Sequence, residues 1–287
     1  MCSCRKNCSS TVGERMDKIK VALIQMDSRK DKQENLRQAK EYLEQAAKEG
    51  ADVVCFPEVM NGEAENQHMQ NISESLKDQT IHMLCQCAKE HRLYIHSGSM
   101  YEKCIGDDKC YNTSVFLSRE GKILDTYRKI HLFDAVLEDG TICKESHTQL
   151  PGNRVVTVDT DFGTVGMAIC YDIRFPEMFR KMAIAGAKVI FVAASFTKET
   201  GSAHWEILLR ARAIENACYI VACNQTGKKA KYTAYGNSMI IDPWGRILCR
   251  AGEEPGICMG EILLPLVDQV RKKIPVLDNR RTDVCDL

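Results

Sequence analysis

The sequence predicts an α/β protein built as a four-layer αββα sandwich, two sheets face to face with helices on their outer sides. Three observations predict it. Strand, helix and strand alternate along the chain. The strands read as near-continuous apolar runs, as in sheets covered on both faces. Short segments of the first half also recur, in the same order, in the second half.

The elements follow in order. "KIKVALIQM" (18–26) is an apolar, β-rich run and hence a strand. A helix follows, with Asp31 and Glu34 as a capping box and Leu36, Ala39, Leu43, Ala46 and Ala47 at helical spacing. Gly50 closes it, and "ADVVCFPE" (51–58) reads as a buried strand. The same order returns in "TVGMAIC" (164–170), a helix over 175–185 and "KVIFVAAS" (188–195). "EGADVVCFPE" matches "AGAKVIFVAAS", residues 91–99 match 216–224, and residues 112–124 match 236–248. Two pseudo-repeated α/β halves explain these matches. No Pro/Gly/Ser-rich linker divides them, so residues 18–287 read as one domain. From about residue 265 an amphipathic helix around Val267 and Val270 leads into a polar, docking tail. Residues 1–17 read as a disordered leader containing Cys2, Cys4 and Cys8.

The totals exclude several classes. Lys plus Arg equals Asp plus Glu at 39 each, which gives no support to a nucleic-acid or anionic-membrane partner. No apolar run reaches the length of a membrane span, and the N-terminal stretch lacks the apolar core of a secretory signal or lipoprotein anchor. Fifteen cysteines, an odd number scattered through a long chain, suit reduced thiols in a cytoplasmic compartment. No second ligand pair at zinc-like spacing follows the first cysteines, so no metal is expected.

Three reactive groups fall where strands should end: Glu58, Lys129 and Cys170. Ligands in such sheets collect beyond the carboxyl ends of strands. A carboxylate, an ammonium and a thiol suffice for acyl transfer. Ahead of a helix start and near Lys129, Cys170 would have its thiolate favoured. Glu58 would accept the thiol proton, provided that an apolar site raises its pKa. Lys129 and the backbone N–H of Tyr171 would stabilise an oxyanion. Singly, each has an ordinary reading: a packed thiol, a turn carboxylate, a solvated lysine. Their combination carries the argument.

"CFPEVM", "YRKIHLFD" and "GMAICYDIRFPE" together resemble the signature segments of the nitrilase superfamily of carbon–nitrogen hydrolases, along nearly the whole chain. The resemblance implies an αββα sandwich and a Glu58–Lys129–Cys170 triad working through a thioester, without metal or organic cofactor. It implies a second glutamate, Glu145, positioning Lys129 and the hydrolytic water. Residues 197–216 and 235–248 are similar to the branch containing omega-amidase and deaminated-glutathione amidase, which implies a small amide bearing a carboxylate. Arg174 would clamp that carboxylate, or else pair with Glu177. Phe196 and Thr197 would edge the pocket. His204 and Trp205 read as helix packing, and Arg210 pairs with Glu206 at i,i+4. The resemblance also implies homodimers, joined through the helices after Cys170 and near Trp205.

Within this chemistry, an N-carbamoyl amine or amino-acid amidohydrolase is the alternative. Outside it stand a Cys-His hydrolase using His131 and a metal or redox module using Cys2, Cys4, Cys8, Cys85 and Cys87.

Overall fold

The computed structural model describes residues 16–63, 69–136, 140 and 142–285. The expected leader with Cys2, Cys4 and Cys8 lies outside them, apart from Met16 and Asp17.

Two sheets form the middle layers. The first runs Gly256–Leu263, Lys18–Gln25, Val53–Cys55, Tyr94–His96, Cys110–Leu117 and Met100–Lys103, with Ile123–Arg128 also paired to Cys110–Leu117. The second runs Ile247–Arg250, Met239–Ile241, Tyr219–Asn224, Val189–Ala194, Gly163–Ile169 and Thr157–Thr160. In each, three parallel strands are followed by two antiparallel ones. The pseudo-repeat is therefore real in the topology.

The match of residues 49–58 with 185–195 holds in it. The strand before Cys170 corresponds to Lys18–Gln25, the first parallel strand, and not to the strand before Glu58. The counterpart of Val53–Cys55 is Val189–Ala194, which ends at Ser195.

Alternation along the strands builds the layers. In the first strand Ala22 and Ile24 join Leu36, Ala39, Leu43 and Ala46 of the helix Lys32–Lys48 and Ile81, Leu84 and Ala88 of the helix Gln79–His91. Its alternate residues, Val21 and Leu23, face the other sheet and share a core with Val165, Met167, Phe191 and Val221. The helices Pro176–Ile184 and Glu206–Asn216 contribute Phe179, Met182, Leu209 and Ala213 to that core. Asp31 caps the first helix by accepting from the N–H groups of Gln33 and Glu34, worth about 1 kcal/mol. The reciprocal half of the capping box is absent, because the Glu34 carboxylate pairs with Arg37 and Gln38 instead. The helix Pro265–Lys273 buries Val267 and Val270, as its periodicity predicts.

Candidate active site

Where the carboxyl ends of strands from both sheets meet, Glu58, Glu145 and Cys170 line one cleft of about 170 Å³, and Lys129 is buried against both glutamates. Glu58 lies three positions beyond the strand Val53–Cys55, and its N–H donates to the Ala194 carbonyl of the second sheet at 3.3 Å. Gly98 makes this turn possible. At φ +67° it packs so closely that a Cβ would sit 2.0 Å from the Pro57 carbonyl oxygen. Lys129 follows directly on Ile123–Arg128. Glu145 opens a short helical turn after the strand Ile142–Lys144.

Cys170 ends the strand Gly163–Ile169 and begins a single 3₁₀ turn, Cys170–Arg174, ahead of the helix Pro176–Ile184. Its φ is +46°, a left-handed conformation that costs a residue with a Cβ roughly 1–3 kcal/mol. Such strain persists only where surrounding contacts over-determine it.

The charges are tightly joined. The Lys129 ammonium, 1 % exposed, donates to Glu58 at 3.0 Å and to Glu145 at 2.9 Å. The second oxygen of Glu58 accepts from the Ser195 N–H at 2.8 Å, while the Asn112 amide donates to the first at 2.8 Å. Glu145 also accepts from the Phe133 N–H at 2.7 Å. Sequence reasoning expected an apolar setting for Glu58. The carboxylate is buried, but three donors converge on it.

Burial opposes the charge on Lys129, yet Glu145 and Glu58 outweigh it and hold the ammonium well above the usual lysine range. Burial pushes the Glu145 carboxyl up, with Lys129 opposing and Glu58 adding to the rise. Burial likewise pushes the Cys170 thiol well above its ordinary value; Glu58 adds to this and Lys129 opposes it. The expectation of a favoured thiolate is therefore corrected. In the resting site the thiol keeps its proton, because desolvation and a neighbouring carboxylate outweigh one ammonium.

Tyr171, Arg174, Phe196 and Thr197 also line the cleft. The Arg174 guanidinium lies 5.3 Å from the centre of the Phe196 ring and donates to His204 Nδ1 at 3.3 Å. No ion pair with Glu177 is found among the described residues. Trp205 is fully buried and donates to the Asn237 carbonyl at 2.9 Å, as a packing residue should. His204 is not a packing residue, since its side chain is exposed beside Arg174. The Glu206–Arg210 pair forms at 3.1 Å. His131 places Nδ1 2.7 Å from Asp172 and stacks on Phe175 at 3.6 Å between ring centres, so its ring is engaged by these two residues.

Asn112, Ser195 and Tyr232 went unread in the sequence. Tyr232 shares a 2.6 Å hydrogen bond with the Ser195 hydroxyl at the cleft wall. A thiol–imidazole contact was also missed. Cys55 lies 3.3 Å from His96 Nδ1, but burial lowers that imidazole to about 3, which leaves a neutral packed pair. Among the described residues no group of three or more His, Cys, Asp or Glu side chains is placed to hold a metal ion. None of the helices described is long and apolar enough to cross a membrane.

A two-sheet sandwich with a carboxylate, an ammonium and a thiol at the strand ends defines a class, and comparison with known proteins gives its name. The carbon–nitrogen hydrolase family model matches residues 20–272, and the chain belongs to that family. Deaminated glutathione amidase of Homo sapiens is 39% identical over 276 residues, covering 92% of this chain and 83% of the relative. An omega-amidase of Mus musculus is 36% identical over 270 residues, covering 94% and 97%. The crystal structure of Saccharomyces cerevisiae Nit3, described as a member of branch 10 of the nitrilase superfamily, superposes with a TM-score of 0.85. Its identity is 33%, over 95% of this chain and 99% of that one.

Proposed function

We propose that this carbon–nitrogen hydrolase converts a small carboxylate-bearing amide to an acid and ammonia through a thioester on Cys170. The observation that carries the reading is the contact of the buried Lys129 ammonium with both Glu58 and Glu145, two carboxylates that line the same cleft as the Cys170 thiol. The names of the relatives, omega-amidase and deaminated glutathione amidase, support an amide over an N-carbamoyl substrate.

In this mechanism Glu58 takes the thiol proton as Cys170 sulfur attacks the amide carbonyl. Charge develops on the carbonyl oxygen, where Lys129 and the Tyr171 N–H would receive it; one such donor is typically worth about 3–4 kcal/mol. Glu58 returns the proton to the leaving nitrogen, ammonia departs and a thioester remains. Glu58 then takes a proton from water, Glu145 holding Lys129 and the water in line, and hydroxide attacks the thioester. The acid leaves and the thiol regains its proton. A thiol protonated at rest fits this scheme, because its proton becomes the first to be transferred. Arg174 would hold the substrate carboxylate, with Phe196 and Thr197 edging the pocket.

Ammonia release from succinamate, α-ketoglutaramate, deaminated glutathione and N-carbamoyl-β-alanine tests the substrate class. Rapid quenching and peptide mass analysis should find an acyl adduct on Cys170. Cys170→Ala turning over at the wild-type rate would falsify the assignment.

We also infer a cytoplasmic homodimer. Ile184, Ile207 and Ile214 are exposed on the helices Pro176–Ile184 and Glu206–Asn216, in keeping with a face that another copy covers. Sedimentation of the purified chain as a monomer at micromolar concentration would remove the dimer.

A further inference from the structure

We propose that Asp172 is a positioning residue that fastens the strand end bearing Lys129 to the strained turn bearing Cys170, a role that rests on the triad reading above. Its carboxylate is completely buried. Four donors satisfy it, and they come from both of the segments that the triad needs in register. Oδ2 accepts from the Ile169 N–H at 2.8 Å and from the Tyr127 hydroxyl at 2.6 Å. Oδ1 accepts from the His131 N–H at 3.2 Å and faces His131 Nδ1 at 2.7 Å. An acceptor-only carboxylate opposite makes Nδ1 the protonated nitrogen of that ring.

The placement of these donors is the argument. Ile169 directly precedes Cys170, and Asp172 follows it by two positions, so the Ile169 N–H to Asp172 bond closes a loop around the nucleophile. Tyr127 and His131 flank Lys129 two positions to either side. The Tyr127 hydroxyl also accepts from the Ile130 N–H at 3.2 Å, which extends the clamp to the residue after the lysine. One face of the His131 ring is fixed as well, since the imidazole stacks on Phe175 at 3.6 Å. Cys170 at φ +46° needs an external restraint to hold that conformation, and the Asp172 carboxylate supplies one from within its own turn. The same carboxylate reaches across to the chain that carries the ammonium. Nothing in its surroundings gives it access to substrate, so it acts through Cys170 and Lys129.

The test is Asp172→Asn, which keeps the volume but turns one acceptor into a donor facing donors. Misplacing reacting groups by about 1 Å costs on the order of 100-fold in rate. We expect kcat to fall about 100-fold while KM stays within about 3-fold, with an unchanged circular dichroism spectrum. Tyr127→Phe removes the hydroxyl that donates to Asp172 and accepts from the Ile130 N–H, keeps the ring in the core, and should lower kcat about 10-fold at constant KM. His131→Asn returns an N–H near the place of Nδ1 and should recover most of the activity that His131→Ala loses. Wild-type kcat in both Asp172→Asn and Tyr127→Phe, beside an inactive Cys170→Ala, would overturn the clamp and leave the triad standing. Turnover by Cys170→Ala would instead remove the triad, and the clamp with it.

Discussion

Replacing Lys129 by Met removes the cation shared by Glu58 and Glu145 and leaves two carboxylates facing each other with little solvent. At 3.0 and 2.9 Å and an effective dielectric of about 20, each contact is worth about 5–6 kcal/mol before desolvation is subtracted. The net loss on breaking a buried pair is smaller, about 3–5 kcal/mol. Urea unfolding followed by circular dichroism should therefore find Lys129→Met less stable by that amount at pH 8.

The pH dependence fixes the sign. The Glu145 carboxyl is already raised from its ordinary value of 4.5, with burial as the first cause and Lys129 opposing the rise. Without the lysine it rises further. A group raised in the folded state contributes its stability fully below its unfolded value, and loses it as pH climbs through the folded value. The penalty of the mutation should thus be smallest near pH 4.5 and grow towards pH 8. The same protein should lose at least 100–1,000-fold in kcat, the usual effect of removing one oxyanion donor. A stability loss below about 1 kcal/mol, or one flat with pH, would refute the view that Lys129 neutralises both carboxylates.

Two further outcomes follow from the same geometry. Because burial and Glu58 hold the Cys170 proton on, alkylation of this residue by iodoacetamide should rise steadily with pH, with no plateau below pH 9; an early plateau near neutrality would mean a resting thiolate. Arg174→Ala should raise KM for a carboxylate-bearing amide about 10–100-fold, the value of a charged hydrogen bond, and leave a neutral amide within about 3-fold. Equal losses on both substrates would assign Arg174 to packing against Phe196.

The strands of the sandwich were legible because each is a local apolar run, and the pseudo-repeat because it keeps its order. The positions of Glu58, Lys129 and Cys170 were legible as strand ends. What surrounds them was not. Asn112 reaches Glu58 from a strand far along the chain, and Ser195 reaches it through a backbone N–H, which no residue identity announces. The error at His204 has a local cause. Residues Gly201–Trp205 form one wider π turn, which shifts the helical phase and carries His204 to the exposed side beside Arg174. Gly201 is required there, because a Cβ would sit 2.5 Å from the Tyr235 ring. The resting state of Cys170 was misjudged because a sequence displays neighbouring charges but not the removal of water.

The pairing of Gly256–Leu263 with Lys18–Gln25 runs through eight registered positions, so the last of the described strands completes the sheet that contains the first. Until Gly256–Leu263 has been made, the Lys18–Gln25 strand waits with one edge bare, and it carries Val21, Leu23 and Ile24. Such an edge is a template for unwanted partners. The first half, although it contains Glu58 and Lys129, therefore lacks one strand of its sheet until the chain beyond the second half is made. Arrival of Gly256–Leu263, and not synthesis of the first half, is the event that closes this sheet.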